Sequence, residues 1–146
     1  MRILILWACC IAKLVACTSA AASASQSPEG PLEFTLNPRI SRPKPAQYRA
    51  VREPREWRNP RLDVTDRGCE LRSRSLREPK IVPLEDLRRV LTQLPLTDWP
   101  YGRVVVVQNP GIGPADPEWW QAVKQNADGA RKVLKALGAD DWGWPT

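Results

Sequence analysis

The sequence predicts a small α/β domain of the α+β kind, a two-layer sandwich in which two helices cover one face of a β-sheet. Residues 61–74 alternate apolar and polar side chains around an Asp-Arg-Gly turn. Residues 103–108 contain four consecutive valines, and two stretches, 83–95 and 116–138, repeat apolar residues at helical spacing. The predicted order is therefore β-hairpin, helix, strand and helix, with the tail as a candidate short C-terminal strand.

The β-hairpin is the first predicted element. Its first strand, Arg61 to Thr65, and its second, Cys69 to Arg74, both show the period of two that is typical of strands. Gly68 completes the turn between them, where its missing side chain permits a positive φ. The charged residues of the second strand predict one solvated face, and we expect them to protect an exposed sheet edge from pairing with other chains.

Two helices and a buried strand follow the hairpin. The first helix is predicted between Pro83 and Pro95, because proline suits a first turn and also ends a helix. Four valines in a row predict a strand that is buried on both faces, in the interior of the sheet. The last helix starts at Asp116, a good N-cap residue, and stops at Gly138. Residues 140–145 form a short aromatic tail that either adds an edge strand or folds back on the sheet.

The first 24 residues have the order of a secretory signal peptide. Arg2 provides the positive charge, an apolar run interrupted by Lys13 follows, and small residues lead to an Ala-Ser-Ala exit at Ala24. A membrane-spanning helix needs about 20 apolar residues, and this run is shorter. The sequence therefore predicts export, to the periplasm or out of the cell, with cleavage near Ala24.

A second interpretation of this segment stays open. Leu14-Val15-Ala16-Cys17 resembles a bacterial lipobox, in which Cys17 is acylated and becomes the mature N-terminus. Lys13 departs from that motif, because lipoprotein signals are normally apolar at this place. Lipidation at Cys17 would make the protein a lipid-anchored structural protein of the envelope, in contact with the membrane only through that anchor.

The chain after the signal peptide divides into a leader and a domain. Seven prolines lie between residues 25 and 60, a density that is incompatible with a regular helix or a central strand. We therefore predict a proline-rich leader or linker over 25–56 and a small α/β domain over 57–146.

The residue types present exclude several kinds of catalytic site. The chain has no histidine, so no Ser-His-Asp or Cys-His arrangement can form and a zinc site with histidine ligands is excluded. Cleavage near Ala24 leaves Cys69 as a single cysteine, which predicts a small core or edge-strand residue. Adjacent carboxylates at 85–86 and 140–141 form no persuasive acid/base pair. We therefore predict no catalytic residue, no cofactor, no metal ion and no enzymatic activity.

Basic side chains are concentrated in the first half of the chain. Residues 27–80 carry 13 basic and 8 acidic side chains, whereas residues 81–146 carry 7 and 8. Most of the basic ones are arginines, whose planar guanidinium groups pair with carboxylates and phosphates. They are Arg39, Arg42, Arg49, Arg52, Arg55, Arg58, Arg61, Arg67, Arg72, Arg74 and Arg77. Two interpretations stay open: an acidic surface partner, or a solvated surface where each arginine lies near a carboxylate. No nucleic-acid partner is expected of an exported chain.

Tryptophan is abundant, with seven residues in the chain. Trp119 and Trp120 are adjacent on the last predicted helix and cannot both point into one core, while Trp142 and Trp144 lie in the tail. We predict that some of these four face a ligand or protein partner, since tryptophan is favoured at binding hot spots. The alternative is that they fill a small core.

Hydrophobic patterns between residues 62 and 138 follow a recognisable order. A strand precedes the Asp66-Arg67-Gly68 turn, VPLEDL opens a helix, a valine-rich strand follows, and the last helix ends in VLKALG. This order resembles the periplasmic domain of the ExbD/TolR energy-transducing proteins. The resemblance implies a fold and a tendency to contact envelope proteins. That family also has a spanning helix with a functional acidic residue, whereas this chain has no acid before Glu29, so proton-coupled work is not implied.

These observations predict an exported cell-envelope protein that acts as a non-catalytic binding or interaction module. Its expected partner is an envelope protein or an acidic surface, and no oligomeric state is predicted. A carboxylate-dependent hydrolase acting on an envelope polymer is the alternative from another class. It would need a deep cleft with converging Asp and Glu side chains, whereas a binding module needs an aromatic surface or a sheet edge.

Overall fold

The computed structural model describes residues 34–143, which lie within the compact unit Glu33–Thr146. They form a mixed five-stranded sheet with helices, which confirms the predicted small α+β fold. The strands are β1 Arg61–Thr65, β2 Gly68–Arg72, β3 Lys80–Val82, β4 Val104–Gln108 and β5 Asp140–Trp142. The α-helices are α1 Pro45–Tyr48, α2 Leu84–Gln93 and α3 Pro117–Ala136, and Pro54–Glu56 and Leu96–Asp98 form 3-10 turns. The predicted signal peptide, including Cys17, lies outside the described residues.

The strands are arranged in the order β3-β2-β1-β4-β5. β1 pairs antiparallel with β2 and parallel with β4, β2 pairs antiparallel with β3, and β4 pairs parallel with β5. Val104 to Val107 are all buried, because β4 has a strand on each side and packed side chains on both faces. The interior position predicted for the valine strand is therefore confirmed.

Two short strands form the edges of the sheet. β3 pairs with β2 through the neighbours Cys69 and Val82, so the expectation that the charges of β2 protect a free edge is wrong. Lys80, exposed at the start of β3, lies on that edge instead. The tail adds β5 beside β4, which is the first of its two predicted alternatives.

The helices α2 and α3 cover one face of the sheet. Their apolar faces pack on the inward side chains of β1, β2 and β4 in one continuous helix-side core. Burial of each large side chain contributes about 1.5–3 kcal/mol, so this layer is the main apolar contribution to stability. Its central members are Leu62, Val64, Leu71, Leu87, Leu91, Val105, Val107, Val123 and Leu134.

The long helix α3 begins where the sequence predicts. The Asp116 side chain accepts a hydrogen bond of 2.9 Å from the backbone N–H of Glu118, which satisfies one of the donors that a helix start leaves unpaired. Midway along α3, Gly129 makes room for the side chain of Leu84 on α2, which fills the space of a missing Cβ. Within residues 34–143, no helix has both the length and the apolar character needed to cross a bilayer.

A second, smaller cluster lies on the opposite face of the sheet. Tyr48, Trp57 and Tyr101 pack against Val104 and Val106 of β4, and we call this group the aromatic cluster. The Tyr48 and Trp57 rings are 5.7 Å apart in an edge-to-face arrangement, and the Trp57 and Tyr101 rings are 5.2 Å apart. These rings cover β4 on this face, whereas the side chains of β1 and β2 on the same face stay partly exposed.

The leader packs on the domain from its first described residues. Leu36 and Ile40 are buried in the helix-side core, and Tyr48 is buried in the aromatic cluster. The compact unit accordingly begins at Glu33, whereas the predicted leader extends to residue 56. The expectation that the proline density excludes a regular helix is wrong for one turn, because Pro45 begins α1, where a proline is tolerated. The prolines also do not prevent neighbouring apolar side chains from packing.

A close backbone crossing holds the leader against the start of β4. The backbone N–H of Arg103 donates a 2.9 Å hydrogen bond to the carbonyl oxygen of Ser41. Gly102, with φ +83°, lies directly beneath the leader, and a Cβ at this position would collide with the carbonyl oxygen of Arg42. The leader can pass this point only because residue 102 has no side chain.

The thiol of Cys69 is fully buried in the helix-side core, and burial raises its pKa from 9.0 to about 11. The folded state disfavours the thiolate, so the stability linked to this group is complete below pH 9 and is lost as the pH rises towards 11. We expect the free energy of unfolding to be about 1.4 kcal/mol lower at pH 10 because of this group. Urea unfolding at pH 8 and pH 10 measures the difference. Cys69→Ala should lower the stability at pH 8 and remove this part of the alkaline slope; an unchanged slope would contradict the assignment.

Candidate anion-binding site

An open groove of about 600 Å³ lies on the sheet face opposite α2 and α3. One wall is the segment 53–59, which precedes β1, and the other is formed by Ser73 and Arg74 after β2. The floor is made by side chains of β1 and β2. Five arginines line it, and we call it the arginine groove: Arg55, Arg58, Arg61, Arg72 and Arg74.

The floor of the groove is set by the hairpin register. Arg61 lies opposite Arg72 and Asp63 lies opposite Glu70, an arrangement of like charges that is unfavourable by itself. Asp63 Oδ2 relieves it by accepting hydrogen bonds from Arg61 at 2.8 Å and Arg72 at 2.9 Å, and Arg72 also contacts Glu70. Arg61 Nε and Asp63 Oδ1 are buried without a hydrogen-bond partner. An incompletely satisfied ion network contributes little to the free energy of unfolding. A stabilising effect therefore does not by itself explain why these four charged side chains lie together on the floor of the groove.

The walls carry the uncompensated positive charge. Arg55 is paired with Glu53 at 2.5 Å, rather than with its neighbour Glu56. Arg58 and Arg74 are exposed, and neither guanidinium lies within 4.0 Å of a carboxylate oxygen of residues 34–143. A unit charge attracts another at 4 Å by about 1 kcal/mol in water and about 4 kcal/mol near a protein surface. These two side chains are therefore available for an acidic ligand.

The wall that carries Arg58 is anchored by its neighbour Asn59, which is buried. The Asn59 amide donates to the carbonyl oxygens of Gly102 and Val104, both at 2.7 Å, and its oxygen accepts from the backbone N–H of Tyr101 at 2.8 Å. Three hydrogen bonds from one side chain therefore fix the start of β1 against the start of β4.

The wall that carries Arg74 is anchored in a similar way. Asp98, which is fully buried, accepts hydrogen bonds from the Ser75 hydroxyl at 2.5 Å and from the Ser75 backbone N–H at 3.4 Å. Within residues 34–143, Asn59 and Asp98 are the two buried polar side chains. Asn59 is itself the neighbour of Arg58, and Asp98 binds Ser75, the neighbour of Arg74, so one buried polar side chain supports each wall.

The groove continues along β1 towards the loop that follows β4. A second cavity of about 380 Å³ shares Arg61 and Arg72 with the arginine groove and is bordered at its far end by residues 109–111. The next residue of that loop is Ile112, which is 94% exposed. The two cavities therefore run from the unpaired arginines at one end to residues 109–111, directly before Ile112, at the other.

The predicted partner-facing tryptophans lie in different places. The Trp119 and Trp120 rings meet edge-to-face with centroids 4.8 Å apart; Trp119 is half-buried against the helix-side core, and Trp120 is 39% exposed. Trp142 packs on Tyr48 at 5.1 Å in the aromatic cluster, on the other face of the sheet. Trp144 lies outside the described residues. The three described tryptophans therefore do not form one continuous patch.

One carboxylate of each adjacent pair, 85–86 and 140–141, takes part in a surface ion pair. Asp86 accepts a hydrogen bond from Arg89 at 2.7 Å, and Asp141 accepts one from Arg131 at 2.9 Å. In the described part of the chain, no group of three or more Cys, Asp or Glu side chains is arranged to hold a metal ion.

No protein-family model, curated protein or solved structure matches the chain. The resemblance of residues 62–138 to the ExbD/TolR periplasmic domain therefore stays a prediction from hydrophobic patterns.

The sequence pattern does not separate the five groove arginines from the other arginines of the basic first half. The hairpin register could have predicted that two of them are neighbours. Arg61 lies four residues before Thr65 and Arg72 lies four residues after Gly68, so a tight hairpin places them opposite each other. No pattern in the sequence distinguishes Asn59 as an anchor, because its three partners lie more than forty residues further along the chain.

Proposed function

We propose that this protein is an exported, non-catalytic binding module of the cell envelope and that its arginine groove binds an acidic partner. The observation that carries the proposal is the pair Arg58 and Arg74, two unpaired guanidinium groups on walls that are held by hydrogen bonds of the buried side chains Asn59 and Asp98. Arginine is suited to this task because its planar fork binds carboxylates and phosphates through paired hydrogen bonds.

The envelope part of the proposal is supported by residues 1–24, whose order of charge, apolar run and small residues is that of an export signal. Lipidation at Cys17 would keep the module at a membrane, whereas cleavage near Ala24 would release it. Both outcomes leave the groove in an oxidising compartment that contains acidic polymers and acidic protein surfaces.

A binding role is favoured over hydrolysis by the state of the groove carboxylates. Asp63 and Glu70 lie opposite each other, and the guanidinium of Arg72 bridges them. An acid/base pair needs open space for a substrate and a water molecule between two free carboxyl groups. Here an ion pair fills that space, so these carboxylates support the arginines instead.

Reversing the two free charges tests the proposal. We expect Arg58→Glu combined with Arg74→Glu to weaken binding of labelled poly-glutamate at least ten-fold at low ionic strength, because two attractions become repulsions. Fluorescence anisotropy measures this affinity, and the difference should shrink at physiological salt.

The matched control changes net charge equally outside the groove. Arg39 and Lys132 are exposed and do not line it, so Arg39→Glu with Lys132→Glu should change the affinity by about two-fold at most. Equal losses in both double variants would show that binding follows net charge rather than the groove. Absence of binding by the unmodified protein would contradict the proposal directly.

A further inference from the structure

We infer that the acidic partner is an extended polypeptide segment that carries an apolar side chain at a set distance from its acidic residues, and that Ile112 contacts that side chain. This inference rests on the proposed function and adds the class of ligand and its second contact point. It is carried by the channel that joins the arginine groove to the loop after β4.

The loop that presents Ile112 is braced. Gly113 lies so close to the indole rings of Trp119 and Trp120 that a Cβ would collide with both, and Trp120 Nε1 donates a 2.8 Å hydrogen bond to the carbonyl oxygen of Pro114. A braced loop loses little conformational freedom when a ligand binds. The two tryptophans therefore hold Ile112 in position rather than forming the contact themselves.

The separation of the two contact points suits an extended chain. β1 rises about 3.3 Å per residue, so its five residues and the flanking segments give a channel roughly 20 Å long. An extended peptide covers that length with about six residues. Acidic side chains at one end of such a segment reach Arg58 and Arg74 while an apolar side chain at the other end reaches Ile112.

An anionic bilayer fits this surface less well. Exposed Asp116 and Glu118 follow the Ile112 loop, and Asp63 and Glu70 lie midway along the channel. These carboxylates would face the lipid phosphates if a flat membrane lay across both ends. A single isoleucine also covers one apolar side chain, whereas an acyl chain needs a much larger apolar surface.

The test uses the full chain and four labelled peptides in fluorescence anisotropy. Each has two aspartates separated by five glycine and serine residues from either a leucine or a serine, in both chain directions. We expect the leucine peptide to bind about five-fold more tightly than the serine peptide in at least one direction. Ile112→Ser should remove this difference, and Ala115→Ser in the same loop should preserve it. Because Ile112 and Ala115 are exposed, neither change should affect folding.

The remaining outcomes separate the two levels of the proposal. The inference would be overturned if Ile112→Ser kept the five-fold preference, or if the unmodified protein showed no preference. The proposed function would still stand in that case, provided that Arg58→Glu with Arg74→Glu weakened binding of both peptides. No effect of the double arginine variant on either peptide would overturn both. Binding to phosphatidylglycerol–phosphatidylcholine vesicles that depends on Ile112, without a peptide preference, would overturn the polypeptide assignment in favour of lipid.

Discussion

Replacing Gly102 by alanine is expected to lower the free energy of unfolding by about 3 kcal/mol, as measured by urea denaturation. Two costs combine at this position. The backbone φ of +83° is one that residues with a side chain rarely adopt, and the added Cβ would meet the carbonyl oxygen of Arg42 in the crossing leader. Because the obstacle is backbone, it cannot move aside as a flexible side chain can.

Gly111→Ala is the matched control. Gly111 lies in the loop after β4, has no positive φ and has no atom within 4 Å of a built Cβ, so the substitution should change stability by less than about 0.5 kcal/mol. Similar stabilities for the two variants would mean that the leader does not cross β4 as described.

Replacing Asn59 by alanine is expected to lower the free energy of unfolding by about 3 kcal/mol. The side chain makes three hydrogen bonds to the backbone of residues 101–104, and their loss leaves buried polar groups unsatisfied, each at about 1–3 kcal/mol before relaxation. Chemical denaturation measures the loss. The same change should also weaken poly-glutamate binding, because Asn59 positions the neighbouring Arg58.

Asn109→Ala is the corresponding control for an asparagine. Asn109 is exposed at the end of β4, and we expect a change in stability of less than about 0.5 kcal/mol. A cost below about 1 kcal/mol for Asn59→Ala would show that the anchor is not needed to join β1 to β4.

Elements with strong local signals could be predicted from the sequence. The four valines of β4 are buried by neighbours on both faces, and Asp116 caps α3 through its side chain. β3 could not be predicted as readily, because a three-residue strand between Pro79 and Pro83 has too few residues to show a period. Its presence changed β2 from an expected edge into an interior strand.

The packed leader and the groove depend on contacts between distant parts of the chain. Tyr48 is buried because Trp57, Tyr101 and Trp142 pack around it on β4, whereas the proline density around it predicts an extended segment equally well. The floor of the groove follows from hairpin register, but its walls require Asn59 and Asp98 to reach partners that no local pattern identifies. Tertiary contacts, rather than propensity, decide these features.

The most direct test of the central claim is to identify which arginine side chains contact an acidic ligand. Nuclear magnetic resonance follows each guanidinium through its Nε–H resonance while poly-glutamate is added. We expect the largest shifts at Arg58 and Arg74 and little change at the exposed Arg39. The largest shifts at Arg49 and Arg131, which line a separate cavity beside β5, would contradict an anion-binding role for the arginine groove.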